Sequence, residues 1–123
     1  MRFEMLLGRA PQALFRQRFK GGNKEVIKKS YTKTGRACRV TFAVPSEVEA
    51  RKVTLCGEFN DWNRKSHPMK RRKDGSFSLT VSLPTGRYYR YRYFLDGKRW
   101  ENDYAADEYL PNPYGSDDSI IKV

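Results

Sequence analysis

Hydrophobic and polar residues alternate with a period of two along much of the chain beyond residue 37. Cys38, Val40, Phe42 and Val44 take turns with Arg39, Thr41 and Ala43 until Pro45 interrupts them. Successive side chains of a strand point to opposite faces, so this spacing predicts a strand with one face in a core. Val53 and Leu55 continue the pattern in a second strand. Phe77, Leu79, Val81 and Leu83 alternate with Ser78, Thr80 and Ser82 before Pro84-Thr85-Gly86, and the polar face of that strand must meet water or a ligand. Tyr89, Tyr91, Tyr93 and Leu95 alternate with Tyr88, Arg90, Arg92 and Phe94, then run into Asp96-Gly97, a strong signal for a two-residue hairpin turn. A short strand around Arg99 to Glu101 should return from that turn, and Ser119-Ile120-Ile121-Lys122-Val123 reads as a last strand. Short strands at roughly 8–12 residue spacing, punctuated by Gly and Pro, predict an all-β sandwich rather than a sheet with crossover helices.

Residues 1–25 follow no sustained period. Within them, Pro11-Gln12-Ala13-Leu14-Phe15-Arg16-Gln17-Arg18-Phe19-Lys20 spells a short helix with Leu14, Phe15 and Phe19 roughly on one side, stopped by Gly21-Gly22-Asn23. Isolated helices under ~12–15 residues are marginal in water, so disorder is the default expectation for this tail. Lys20-Gly21-Gly22 and Lys24-Glu25-Val26 are what a purine-rich ribosome-binding sequence gives when translated, which puts the expected natural start near Val26. The expected organisation is a basic tail over 1–25 and one β-sandwich over 26–123.

Charge changes this picture less than its total suggests. The chain of 123 residues carries a net +11. Ten Lys/Arg against two acids up to residue 37 account for +8, and fifteen against twelve beyond it leave +3. The basic character therefore lies mainly in the first 37 residues, and Lys70-Arg71-Arg72-Lys73, just before Asp74-Gly75, reads as a solvated approach to a hairpin. Nucleic acid is not the expected partner. No run of ~18 apolar residues could span a membrane, and Met5-Leu6-Leu7, broken by Gly8-Arg9, falls short of the ~7–15 residue core of a secretory signal.

Cys38 and Cys56 fall in apolar stretches, where a free cysteine behaves as a small buried hydrophobe, and two cysteines do not make a secreted disulfide framework. A reducing, cytoplasmic setting with both thiols free is expected, with a bridge between neighbouring strands as the alternative. His67 has no partner at metal-ligand spacing, so no metal or other cofactor is expected. Glu58 and Asp61 share one loop, whereas glycoside hydrolysis uses two carboxyls ~5–9.5 Å apart that flank a bound sugar. With no serine–histidine–aspartate set and no glycine-rich phosphate loop, no catalytic residue is expected.

The feature that points to a function is Leu55-Cys56-Gly57-Glu58-Phe59-Asn60-Asp61-Trp62, an apolar strand passing through glycine into a polar loop that ends in an indole. Trp100 follows the Asp96-Gly97 turn, and both indoles are read as sitting on loops, where a folded protein has least reason to place them. Exposed indoles on a β scaffold suggest stacking on a ligand.

Gly57-Glu58-Phe59-Asn60-Asp61-Trp62, the run from Gly86-Arg87-Tyr88 to Leu95-Asp96-Gly97, then Trp100 with Asn102-Asp103, and Asn112-Pro113-Tyr114-Gly115-Ser116-Asp117-Asp118-Ser119-Ile120-Ile121 stand in that order. Together they resemble carbohydrate-binding module family 48, over roughly residues 36–123. This early-set module precedes the catalytic barrel of isoamylases, pullulanases and glycogen branching enzymes, and forms the glycogen-binding domain of the AMP-activated protein kinase β subunit. The resemblance implies an immunoglobulin-like β-sandwich that binds α-1,4-linked glucan, such as glycogen or a maltooligosaccharide, without hydrolysing it.

By that resemblance, Trp62 and Trp100 are the stacking platforms. Arg92 falls where the kinase-subunit modules place a lysine that donates to sugar hydroxyls, with Arg90 as a weaker candidate on the same face. Tyr114 corresponds to a leucine that pushes into the sugar, Ser116 to a hydroxyl residue, and Asp118 to an asparagine. An aspartate only accepts, so one hydrogen bond donated to the ligand is expected to be missing. Tyr114 either supplies a further aromatic contact or caps the sandwich end. With no barrel after Val123, the expectation is a stand-alone module that acts by binding alone or by bringing something else, such as an enzyme of glycogen metabolism, to glucan. Two other readings stay open: a protein-interaction adaptor that kept the fold but little sugar affinity, and nucleic-acid binding through the tail and the basic run.

Overall fold

Residues 27–123 are described by a computed structural model. The expected tail helix from Pro11 and the start near Val26 lie outside the described residues. Among the described residues nine strands form in chain order: β1 Lys28–Tyr31, β2 Ala37–Val44, β3 Val53–Gly57, β4 Lys70–Arg71, β5 Phe77–Pro84, β6 Tyr88–Leu95, β7 Arg99–Glu101, β8 Glu108–Pro111 and β9 Asp117–Lys122. Single 3-10 turns lie at Ser46–Val48 and Glu58–Asn60.

The strands make two antiparallel sheets, one in the order β1-β2-β5-β4 and the other in the order β3-β6-β9-β8, with β7 also paired to β6. The first order, together with β3-β6-β9, is the immunoglobulin arrangement, in which four strands of one sheet face three of the other. The β7–β8 segment is an addition between the last two of those strands. Tyr89, near the start of β6, donates its hydroxyl to the Pro84 carbonyl at 2.8 Å. That is the tyrosine corner characteristic of such sandwiches.

Alternation placed the core correctly. Cys38, Val40, Phe42 and Val44 of β2, Val53 and Leu55 of β3, and Tyr89, Tyr91, Tyr93 and Leu95 of β6 meet in one buried cluster. Each fully buried side chain of this size contributes roughly 1.5–3 kcal/mol relative to exposure. Cys38 lies in that cluster on the first sheet, whereas Cys56 is buried on the second sheet and donates toward the Asn63 carbonyl at 3.3 Å. Both thiols are free, and no bridge joins them.

A polar knot sits against this core. Tyr91 and Tyr93 donate their hydroxyls to one oxygen of Asp103, at 2.7 and 2.9 Å, and Ala105 N–H donates to the other at 2.9 Å. Ser119 Oγ accepts the Asp103 N–H and donates to Asn102 Oδ1, which ties β9 to the stretch that leaves β7. Asp103 is only 1% exposed. Burial pushes its carboxyl above the usual carboxylate range despite the three donors.

Two expectations are corrected here. Trp100 lies within β7, opposite Phe94, rather than on a loop. Asp96 and Gly97 both take positive φ and Lys98 N–H bonds the Leu95 carbonyl, so the tight turn forms at the expected residues, but Leu95 pairs with Arg99, so three residues rather than two connect the strands. The basic run is the solvated hairpin approach expected of it: it forms β4 and its turn on the edge of the first sheet, where exposed Lys and Arg guard an edge strand against pairing with another chain.

Candidate functional site

Arg90 and Arg92, which turn away from the core on β6, form the floor of a cleft on the outer face of the second sheet. Loop residues Trp62 and Arg64 stand on one side, and the turn over 111–114 stands on the other. Trp100 and Asp118 complete the lining, and the cleft encloses about 700 Å³. A space of that size fits a small-molecule ligand.

The loop carrying Trp62 is built from Gly57 onward. Asn60 accepts the Gly57 N–H at 3.0 Å and donates to the Leu55 carbonyl at 3.0 Å, which folds the chain back over the end of β3. Asp61 and Trp62 then both take left-handed backbone conformations, with φ of 54° and 58°. For a residue as bulky as tryptophan that conformation costs roughly 1–2 kcal/mol. The Trp62 N–H bonds the Gly57 carbonyl at 2.8 Å, and Asn63 Oδ1 accepts the N–H groups of Lys65 and Ser66. These bonds hold the indole half-buried at the cleft wall instead of tucked into the core.

Glu58 is tied to the scaffold. Its carboxylate accepts the backbone N–H of Arg90 at 2.9 Å, which continues the β3–β6 ladder past Gly57. His67 is likewise engaged, with Nδ1 2.8 Å from Ser66 Oγ and 3.1 Å from Asn60 Nδ2.

Trp100 packs on Phe94 with ring centroids 4.6 Å apart and planes tilted by 42°. The Arg64 guanidinium lies over both rings, 5.0 Å from the Phe94 centroid and 5.6 Å from that of Trp100. The same positive charge slightly offsets the burial that pushes the Cys56 thiol up to about 11.

The opposite wall is organised by Asp118 and Asn112. Asp118 accepts from Arg90 on one oxygen at 3.1 Å and from Asn112 Nδ2 on the other at 3.0 Å. Arg90 also donates to the Pro111 carbonyl at 3.1 Å. Asn112 Oδ1 in turn accepts the Tyr114 N–H at 2.9 Å. Tyr114, held at the tip of this turn, is 62% exposed, so it does not cap the sandwich.

Five of the six expected residues thus come together: Trp62, Trp100, Arg92, Tyr114 and Asp118 all line the cleft. Arg92 is only 7% exposed, so its charge is not a solvated strand charge. Ser116 is 5% exposed, lies behind the turn within hydrogen-bonding distance of Asn112, and does not line the cleft. Arg64, Asn112 and the two prolines at 111 and 113 line it without having been expected there, and Arg90 has a larger part than expected. For Arg64 the sequence offered only its position two residues after Trp62, since the loop fold that brings it over Phe94 and Trp100 leaves no mark in the residue pattern. Among the described residues no group of His, Cys, Asp and Glu could hold a metal ion, and no helix is long and apolar enough to cross a membrane.

Comparison with known proteins gives a match over residues 30–115 to the family described as Carbohydrate-binding module 48 (Isoamylase N-terminal domain). The 1,4-alpha-glucan branching enzyme GlgB of Aquifex aeolicus is 38% identical over 68 residues, which are 53% of this chain and 10% of that enzyme. Among solved structures, the enterobactin esterase FES from Shigella flexneri superposes with a TM-score of 0.63 at 13% identity, over 80% of this chain and 33% of that one. The catalytic module of the glycogen-degrading pneumococcal virulence factor SpuA superposes with a TM-score of 0.52 at 15% identity, over 89% of this chain and 18% of that one. At such identities the likeness concerns the fold alone. The chain spans about a tenth of the branching enzyme's length and a third or less of either structural relative.

Proposed function

The chain belongs to the carbohydrate-binding module 48 family, and from that premise we propose that its cleft binds α-1,4-linked glucan of the glycogen or starch type without cleaving it. Stacking on Trp62 and Trp100 supplies the main contact. A pyranose has an apolar C–H face and a polar hydroxyl rim, so an indole covers the face while neighbouring polar groups orient the rim. The observation that carries this reading is the convergence of both half-buried indoles on one cleft, with Arg92 on its floor and Tyr114 on its rim.

Arg92 donates to sugar hydroxyls, and Tyr114 adds a third aromatic surface. Asp118 acts mainly by holding Arg90 and Asn112, since both of its oxygens already have donors. Binding without hydrolysis is supported by the acids themselves: Glu58 is spent on a backbone amide and Asp118 on an ion pair, so neither faces the other across a bound bond.

The test is electrophoresis of the full chain in native gels containing glycogen. Wild type should be retarded, and both Trp62→Ala and Trp100→Ala should migrate as if glycogen were absent. Unretarded wild type would contradict the reading.

A further inference from the structure

The charge of the cleft is larger than a neutral sugar requires. Its charged lining consists of Arg64, Arg90, Arg92 and Asp118. The one carboxylate is committed to Arg90, in an ion pair at 3.1 Å. Arg64 rests on the rings of Phe94 and Trp100, and among the described residues no carboxylate pairs with it. A sugar that stacks on Trp100 takes the place of this guanidinium and leaves it at the rim of the platform, where its N–H groups are available to an anion. Partial burial of the floor weakens screening by water, which raises the worth of any anion that enters.

Resting on the glucan reading above, we propose that the cleft prefers α-glucan carrying a phosphate monoester to unmodified glucan, and that Arg64 is the residue that reads the phosphate. A phosphate monoester carries about −1.5 to −2 charge at pH 7 and presents three acceptor oxygens that match the guanidinium fork. The sugar ring attached to it stacks on the indoles, so stacking and ion pairing act on one ligand unit. Sugar hydroxyls, being uncharged, leave the charge of Arg64 uncompensated.

The experiment is calorimetric titration of the full chain, in low and in high salt, with maltoheptaose and with a maltodextrin of equal length bearing one phosphate monoester. The phosphorylated ligand should bind roughly tenfold more tightly in low salt, because hydrogen bonds between charged groups are about twice as strong as neutral ones, and the advantage should shrink in high salt. The ratio of the two affinities should fall toward one in Arg64→Gln. It should persist in Lys70→Gln, which removes a charge from the edge of the other sheet. Equal affinities in wild type, a ratio untouched by Arg64→Gln, or a ratio lowered as much by Lys70→Gln would each overturn the proposal. So would inorganic phosphate or a thymidine oligonucleotide binding as tightly as the phosphorylated dextrin. Binding of maltoheptaose without preference defeats this inference alone, whereas binding of neither dextrin defeats the glucan reading with it.

Discussion

Asp118 holds Arg90 on one carboxylate oxygen at 3.1 Å while its other oxygen takes the amide of Asn112, so one side chain fixes both the floor of the cleft and the turn that carries Tyr114. Asp118→Ala leaves two buried or half-buried donors without that acceptor and should cost about 1–3 kcal/mol of stability. Glucan affinity should drop with it, because the turn over 112–116 loses its anchor. Asp118→Asn retains one acceptor and should lose less of both. Urea unfolding alongside glycogen affinity measures the two effects.

Gly57 is required by space. A Cβ at this position would lie 2.6 Å from the Arg90 carbonyl oxygen and 2.8 Å from the Cβ of Tyr91, both on the adjoining strand β6. Gly57→Ala must push β3 away from β6 and should cost about 1–3 kcal/mol, as overpacking generally does. The same displacement carries the Trp62 loop with it, since Trp62 N–H is bonded to the Gly57 carbonyl. Thermal unfolding and glucan affinity should therefore fall together in this variant.

Tyr91 and Tyr93 give the fold a defined alkaline limit. Burial, and then the Asp103 charge beside them, hold both hydroxyls well above the ordinary tyrosine value. In the unfolded chain they ionise near pH 10. Their contribution is thus complete below about pH 10 and is lost as the pH rises beyond it, by about 1.4 kcal/mol per pH unit for each group. Asp103, also raised, acts with the same sign in the acid range: stability declines as the pH climbs from the ordinary carboxylate range through its raised value. Unfolding curves across pH should show a steep alkaline limb that is shallower in Tyr93→Phe, and an acid-range slope that disappears in Asp103→Asn.

The core was legible because period-two alternation is a direct print of which face is buried, as in Phe42 and Val44 of β2 or Tyr91 and Tyr93 of β6. Strands β1 and β8 left no such print. All four residues of β1 are exposed on a sheet edge, and β8 has no fully buried position, so neither carries an alternating signature. The cleft was legible where a resemblance named its residues. It was not legible at Arg64, whose place depends on two consecutive left-handed residues that no periodicity encodes, nor at Ser116, which the Asn112 turn folds behind the wall.

The most direct test is chemical-shift mapping of the labelled chain titrated with maltoheptaose and with β-cyclodextrin. The indole N–H signals of Trp62 and Trp100 should move together and saturate at one ligand concentration, with the backbone signals of Arg92 and Tyr114 following. Shifts confined to the outer strands of the first sheet, or two indole signals that stay fixed while ligand is present in excess, would contradict sugar binding at this cleft.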